Sequence, residues 1–125
     1  GPAAPRMIQG LGTSVRPAHT DESYLADVVY VEETDTIRAC HSLTARGFLF
    51  GGSTGTVISG AAAWLAENDP EGTLTSVALA PDMGERYLDT VYQTNWVEDL
   101  YGADALNPTA AVVAVPGVVG LPVAA

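Results

Sequence analysis

Short apolar runs of the strand type alternate along this chain with stretches of helical periodicity, and this alternation limits its possible folds more than any other feature. The runs are residues 27–31 (DVVYV), 48–50 (FLF) and 74–80 (LTSVALA). The first has consecutive β-branched and aromatic residues and no polar face, which is typical of a strand buried in a parallel sheet. The order β-α-β-α-β therefore predicts an α/β fold, a parallel sheet with right-handed crossovers and flanking helices.

Two helices are predicted between these runs. The first covers residues 35–46, with Thr34 or Asp35 as its N-cap and Gly47 as its C′ residue. Its apolar positions at helical spacing are Ile37, Cys40 and Leu43. The second follows the glycine-rich loop 51–55 (GGSTG), and its apolar positions are Val57, Ile58, Ala61, Trp64 and Leu65.

The remainder of the chain is predicted to hold short elements and a tail. Residues 68–72 (NDPEG) have the composition of a turn, and short helices are expected at 85–92 and 96–101. We expect residues 1–102 to form one domain segment, and residues 103–125, rich in Ala, Val, Pro and Gly, to form a weakly ordered tail.

Charge and composition argue against several classes of function. The 125 residues suit one small domain, and 15 acidic residues against 5 basic ones give a formal charge of −10. No basic patch is therefore available for nucleic acid or for an anionic membrane surface. A single cysteine permits no internal disulfide, and the chain does not start like a signal peptide. We therefore expect a cytoplasmic protein.

The chain contains no lysine, and this limits the chemistry that it can perform alone. Its basic side chains are all arginines: Arg6, Arg16, Arg38, Arg46 and Arg86. A Schiff base to an aldehyde cofactor requires a lysine amine. Such a mechanism would need a lysine from another polypeptide segment.

The loop 51–55 carries the strongest local signal for a ligand. Free N–H groups at the start of a helix attract anions or electron-rich ligand atoms, and glycines let a ligand approach. The alternative is a tight turn in which Ser53 or Thr54 caps the helix. The loop has neither the spacing and lysine of a Walker loop nor the pattern of a dinucleotide fingerprint.

Neither a metal site nor a cysteine nucleophile is predicted. His19, Cys40 and His41 do not have the spacing of a metal-binding motif. Cys40 lies on the apolar side of the first helix, where it is expected to be a core residue. The acidic residues around Glu33 are expected to lie on a solvated surface.

Three motifs occur in order along the chain. Residues 8–12 (IQGLG) resemble a glycine loop beside a substrate cleft. Residues 48–60 (FLFGGSTGTVISG) resemble a loop and helix that contact a cofactor ring. Residues 81–92 (PDMGERYLDTVY) resemble a P-D-x-G-E-R-Y-L segment. Together they resemble the C-terminal third of the fold-type-II pyridoxal-phosphate enzymes, the family of cysteine synthase and cystathionine β-synthase. The resemblance covers residues 1–102.

This resemblance implies a fold like that of tryptophan synthase β and a β-replacement reaction on an activated serine, O-phosphoserine or O-acetylserine. Within the family, the motifs are most similar to synthases of 2,3-diaminopropionate and siderophore biosynthesis that join O-phosphoserine to glutamate. Pyridoxal phosphate would bind only together with a missing N-terminal segment or chain that carries the Schiff-base lysine and the phosphate loop. The assembled enzyme is expected to be a homo-oligomer.

The resemblance also assigns roles to five residues. Ser53 matches the serine whose hydroxyl donates to the ring nitrogen of the cofactor, and Gly52 adjoins it as a cofactor-binding residue. Gly10 and Gly12 match the substrate loop. Arg16 after it is a candidate to bind a substrate phosphate, and the alternative is a surface arginine near Asp21. No catalytic residue is assigned, because the Schiff-base lysine is absent. A hydroxyl partner leaves the ring nitrogen neutral, which favours loss of a β-substituent over transamination.

Two other interpretations stay open. A catalytically inactive binding or interaction module could reuse the same half-fold to hold an anion or a partner protein. Alternatively, a domain of unrelated origin could contain GGSTG as a simple turn. A complementary lysine-bearing segment would distinguish an enzyme from both.

Overall fold

This computed structural model describes residues 7–8 and 26–107. This part of the chain contains four helical elements. They are α1 (Glu33–Ala45), α2 (Gly52–Asn68), a short 3-10 helix (Glu85–Tyr87) and α3 (Thr94–Tyr101). Helices α1 and α2 pack against each other. No helix in this part of the chain is both long and apolar enough to cross a membrane.

Helix α1 forms where the sequence predicts a helix, with its start two residues earlier. Gly47, the predicted C′ residue, has φ +92°, a left-handed conformation that glycine adopts without strain. The predicted apolar positions are all buried: Ile37, Cys40 and Leu43. The predicted N-cap is wrong, because the N-cap is Glu32 and Thr34 lies within the first turn. Asp35, also in the first turn, stabilises the helix there by its negative charge.

Helix α2 also forms as predicted, and of its predicted apolar positions Leu65 is buried, Ile58, Ala61 and Trp64 are half-buried and Val57 is exposed. Val57, predicted to be an apolar core position, is 36% exposed. The buried residues are mostly small: Gly52, Thr54, Gly55, Ser59, Gly60, Ala62 and Leu65. Small side chains let the backbones of two helices approach closely, whereas the larger apolar side chains would hold them apart.

Gly55 shows how closely α1 and α2 approach. A Cβ atom at this position would lie 2.5 Å from Cys40 Sγ and 2.6 Å from the carbonyl oxygen of Thr36. Across the same interface, the hydroxyls of Thr36 and Thr56 are hydrogen-bonded at 2.8 Å. The pairing of the two helices therefore depends on a glycine at position 55.

Two apolar clusters stabilise this part of the chain. The larger brings together α1, α3, the segment before α3, the turn after it and one residue near the N-terminus: Ile8, Ile37, Cys40, Tyr87, Val91, Val97 and Ala105. The smaller joins α1 to α2: Ala39, Ala62 and Leu65. Arg38 Nε donates to the carbonyl of Ala105 at 2.9 Å, so the turn after α3 is fastened to α1. Most of the predicted tail lies outside the described residues.

The predicted parallel sheet stays a prediction. Within residues 26–107 the structure has no strand ladder, and Phe50 and Met83 form an isolated antiparallel bridge. The predicted strands 27–31 and 74–80 have no regular secondary structure. Several of their apolar side chains are exposed: Tyr30 by 80%, Val77 by 90% and Leu79 by 79%. A strand needs a neighbour to pair its backbone groups, and neither run has one among the described residues.

The shorter predicted elements are confirmed in part. The turn predicted at 68–72 is confirmed, and an amide-to-carbonyl hydrogen bond of 3.0 Å closes it. The helix predicted at 85–92 is a 3-10 helix of three residues followed by turns. The helix predicted at 96–101 is α3, which begins earlier because the Gln93 side chain caps it by accepting from the Trp96 amide at 2.6 Å.

Replacing Gly55 by alanine is expected to destabilise the helix pair. The added methyl group would meet Cys40 Sγ and a backbone carbonyl of α1 well below 3.0 Å, and the carbonyl cannot move aside without shifting α1. Overpacking of this kind costs about 1–3 kcal/mol, against the roughly 1 kcal/mol that alanine gains over glycine in a helix. We expect a net loss, measured as a lower free energy of unfolding in urea.

Val57→Ala is the matched control, because it changes an exposed position of the same helix. It should alter the free energy of unfolding by no more than about 0.5 kcal/mol. A Gly55→Ala chain as stable as the parent would show that the two helices do not need this close approach.

Candidate functional site

The loop 51–55 forms the first turn of α2. Gly51 is the N-cap, so Gly52 and Ser53 take the first two helical positions. The N-cap residue contributes no side-chain hydrogen bond. The interpretation in which Ser53 or Thr54 caps the helix is therefore wrong.

The cap comes instead from Asp82, which lies 28 residues after Thr54. Its Oδ1 accepts hydrogen bonds from the Thr54 amide at 2.9 Å and the Thr54 hydroxyl at 2.7 Å. Its Oδ2 accepts from the Ser53 amide at 3.2 Å and the Tyr87 hydroxyl at 3.2 Å. A carboxylate here also complements the helix dipole. The amides of Ser53 and Thr54 thus bind the protein's own carboxylate, which neither of the two interpretations of the loop from sequence, a ligand site or a local cap, had predicted.

Backbone contacts hold the segment around Asp82 against the loop. The Gly51 amide donates to the Asp82 carbonyl at 3.1 Å, and the Gly84 amide donates to the Leu49 carbonyl at 3.1 Å. A Cβ at Gly84 would lie 2.7 Å from Leu49 Cγ, and one at Gly51 would collide with the Asp82 carboxylate and the Tyr87 ring. Two of the three sequence motifs, 48–60 and 81–92, are therefore in direct contact.

Cys40 and Tyr92 donate hydrogen bonds to backbone carbonyls at the start of the loop. The Tyr92 hydroxyl donates to the carbonyl of Phe50, and Cys40 Sγ donates to the carbonyl of Gly51 at 3.5 Å. Burial raises the pKa of Cys40 to about 11 and that of Tyr92 to about 12. Both groups stay protonated near neutral pH and act as hydrogen-bond donors. Cys40 is a buried core residue, as predicted, and not a thiolate nucleophile.

His41 faces a different partner from its neighbour Cys40. Its Nε2 lies 2.7 Å from the carbonyl oxygen of Val91, and its ring contacts Tyr92 at a centroid distance of 5.6 Å. His19 lies outside the described residues. Across residues 7–8 and 26–107, no three His, Cys, Asp or Glu side chains come together as a metal site would require.

The structure places only some of the predicted site residues. Gly52 is buried and Ser53 is half-buried, and the two are adjacent at the start of α2. Gly10, Gly12 and Arg16, assigned from the sequence to the substrate, lie outside the described residues. What the structure brings together is therefore the predicted cofactor-ring loop and the segment that holds it.

Sequence reasoning missed two acidic residues of structural importance. Asp82 was visible only as part of a motif, because no local pattern shows which distant helix a carboxylate caps. Glu33 was expected to be solvated, yet it accepts from the Tyr101 hydroxyl at 2.6 Å and the Met7 amide at 3.1 Å. Burial and the Glu33 carboxylate raise the pKa of Tyr101. Glu33 thus joins three parts of the chain.

The chemistry that this arrangement offers is that of neutral donors. The groups at the loop are the Ser53 side chain, glycine backbone and a carboxylate that already accepts from four donors. The sequence contains no lysine, and the thiol of Cys40 is protonated. Such a site can orient a ring atom that accepts a hydrogen bond, but it does not supply the amine that an aldehyde requires.

Comparison with known proteins finds a relative of this chain. N-(2-amino-2-carboxyethyl)-L-glutamate synthase from Ralstonia nicotianae is 37% identical to it over 94 residues. The match covers 74% of this chain but 27% of the synthase, so the chain spans little more than a quarter of the length of that relative. No protein-family model matches the chain. The resemblance predicted from the three motifs is confirmed.

Raising the pH from 9 to about 11 is expected to destabilise the fold through Cys40. The pKa of its thiol is 9.0 in its ordinary environment and about 11 in the folded chain. Between these values the unfolded thiol loses its proton while the folded thiol keeps it, so stability falls as the pH rises. Below pH 9 the stabilising contribution is fully present. The measurement is the free energy of urea unfolding at several pH values.

Cys40→Ala is the control for this pH dependence. It removes the titrating group, so the fall in stability between pH 9 and 11 should become smaller, although the tyrosines still contribute at the upper end. Identical slopes for the two proteins would show that Cys40 titrates normally in the fold.

Proposed function

We propose that this relative of N-(2-amino-2-carboxyethyl)-L-glutamate synthase is the C-terminal segment of a pyridoxal-phosphate-dependent synthase that replaces the β-substituent of an activated serine. The relative's name describes a glutamate nitrogen bonded to the β-carbon of an alanine unit. Such a product forms when an amine takes the place of a leaving group on O-phosphoserine or O-acetylserine. The observation that carries the proposal is the half-buried Ser53 at the first turn of α2, in a loop that matches the family motif.

The residues present fit one side of the cofactor. Pyridoxal phosphate supplies an electron sink for the removal of the β-substituent. The Ser53 hydroxyl would donate a hydrogen bond to the ring nitrogen and would leave that nitrogen neutral, whereas a carboxylate would keep it protonated. Gly52 lets the loop backbone approach the ring. Because the chain has no lysine, the Schiff-base amine and the phosphate loop belong to a complementary N-terminal segment or chain.

The exposed apolar runs support a complementary segment. A Cβ at Gly60 of α2 would lie 3.2 Å from Val31 Cγ2 and 3.9 Å from Val29 Cβ, so these two side chains face the helix. Tyr30, between them, is 80% exposed. This alternation is that of a strand covered on one face, and the neighbouring strands of a parallel sheet would come from the other segment.

The proposal extends to the substrate-binding residues near the N-terminus, which lie outside the described part of the chain, and to the assembled enzyme. Gly10 and Gly12 form the substrate loop, and Arg16 binds a substrate phosphate through its guanidinium. The enzyme acts in 2,3-diaminopropionate or siderophore biosynthesis in the cytoplasm, as a homo-oligomer. The lack of lysine favours a second candidate, a catalytically inactive module that reuses this half-fold.

A chimera with the Ralstonia synthase tests the proposed function. The residues of the synthase that align with this chain are replaced by the 94 matched residues, which leaves the complementary segment intact. We expect the chimera to bind pyridoxal phosphate, seen by its visible absorbance. We also expect it to form N-(2-amino-2-carboxyethyl)-L-glutamate from an activated serine and glutamate, measured by mass spectrometry.

The unmodified synthase is assayed beside the chimera as the reference. A chimera that folds and holds the cofactor, yet forms no product from O-phosphoserine or O-acetylserine, would favour the inactive module over the enzyme. The same two assays on the 125-residue chain alone should show no stable cofactor adduct, because no lysine is available.

Ser53→Ala in the chimera tests the role of the hydroxyl. Loss of one hydrogen bond to the ring is expected to lower kcat by about tenfold, while the cofactor stays bound through the other segment. Ser42→Ala, the same change at a half-buried serine of α1, is the matched control. If Ser53→Ala reduced the melting temperature but left kcat and the absorbance spectrum unchanged, the role of Ser53 would be structural only.

A further inference from the structure

Asp82 is the residue that fixes the position of Ser53 in the described structure. Its Oδ2 accepts from the Ser53 amide at 3.2 Å, and its Oδ1 accepts from both the amide and the hydroxyl of Thr54. We infer that Asp82 is a positioning residue that orients the Ser53 hydroxyl toward the cofactor ring, an inference that rests on the proposed function. Neither the resemblance nor the comparison assigns a role to this carboxylate.

The main chain of Asp82 also holds the first turn of α2 by hydrogen bonds. Its carbonyl accepts from the Gly51 amide at 3.1 Å, and its own amide donates to the Thr54 hydroxyl oxygen at 3.4 Å. Asp82 therefore contacts residues on both sides of Gly52 and Ser53, and its side chain and backbone act on the same turn. Since the rotamers open to a side chain depend on the backbone dihedrals of its residue, fixing this turn restricts the directions in which the Ser53 hydroxyl can point.

The site is built for a carboxylate at this position. A Cβ at Gly51 would collide with the Asp82 side chain and the Tyr87 ring, so the glycine leaves the room that the carboxylate fills. Four donors converge on its two oxygens: the amides of Ser53 and Thr54 and the hydroxyls of Thr54 and Tyr87. A carboxylate accepts all four, whereas an asparagine has one acceptor oxygen and turns an NH₂ group toward the remaining donors.

Asp82→Asn tests the inference, because it keeps the shape of the side chain and removes part of its accepting capacity. In the 125-residue chain, we expect the amides of Ser53 and Thr54 to exchange hydrogen faster than in the parent. In the chimera, we expect kcat to fall by no more than the roughly tenfold loss expected for Ser53→Ala, because Asp82 acts through that hydroxyl, with KM changed by no more than about threefold. Asp89→Asn makes the same chemical change at an exposed position and should alter neither readout.

Thr54→Val separates positioning from stability. It removes the hydroxyl that donates to Asp82 but leaves the Ser53 amide on Oδ2. We expect it to lower the melting temperature about as much as Asp82→Asn does, with a much smaller fall in kcat. An equal fall in kcat for both variants would mean that Asp82 acts through general stability, and it would overturn the inference.

The remaining outcomes separate this inference from the function on which it rests. If Asp82→Asn speeds exchange of the Ser53 amide but leaves kcat unchanged in an active chimera, the positioning role is wrong and the proposed function stands. If the chimera without any substitution is inactive although it holds the cofactor, the proposed function is wrong and the role of Asp82 toward the ring is wrong with it.

Discussion

The carboxylate of Asp82 satisfies amides that the first turn of α2 cannot satisfy by itself. Every helix begins with N–H groups that have no partner within the helix, and the N-cap here is a glycine without a side chain. Because the capping oxygens come from a segment 28 residues away, the cap is a tertiary contact. The loop 51–55, the start of α2 and the segment around Tyr87 are therefore ordered by one interaction, and the candidate site depends on it.

Absent side chains make this arrangement possible. Gly51 leaves room for the Asp82 carboxylate, Gly84 lets its own segment lie against Leu49, and Gly55 brings α1 close enough for Cys40 to lie under the loop. Each of the three glycines makes room for a different neighbour. The loop is therefore packed against the segment around Asp82 on one side and against α1 on another. Dense packing of this kind keeps rotamers and backbone in one arrangement, which is what a hydrogen-bond donor aimed at a cofactor requires.

The predictions from sequence are confirmed where the cause is local. Gly47 ends α1 because a left-handed C′ residue is a property of a single position. Of the apolar positions predicted for α2, Leu65 is buried but Val57 is exposed, because the contact with α1 also selects small residues such as Gly55. The capping role of Asp82 and the hydrogen bonds of Glu33 depend on residues far away in sequence, and no local pattern encodes them. The sheet of 27–31 and 74–80 needs neighbours that these residues do not supply.

The distribution of buried surface indicates what a complementary segment would have to do. The helices have their own apolar clusters, and the loop is already fixed by Asp82, Cys40 and Tyr92, whereas Val77 is almost wholly exposed. Docking of a partner would add strand pairing and bury apolar side chains without reordering the loop. A preorganised surface loses less conformational entropy on binding. The proposed division of the site then follows chemistry: this chain supplies neutral donors at the loop, and the proposed complementary segment supplies the amine and the phosphate contacts.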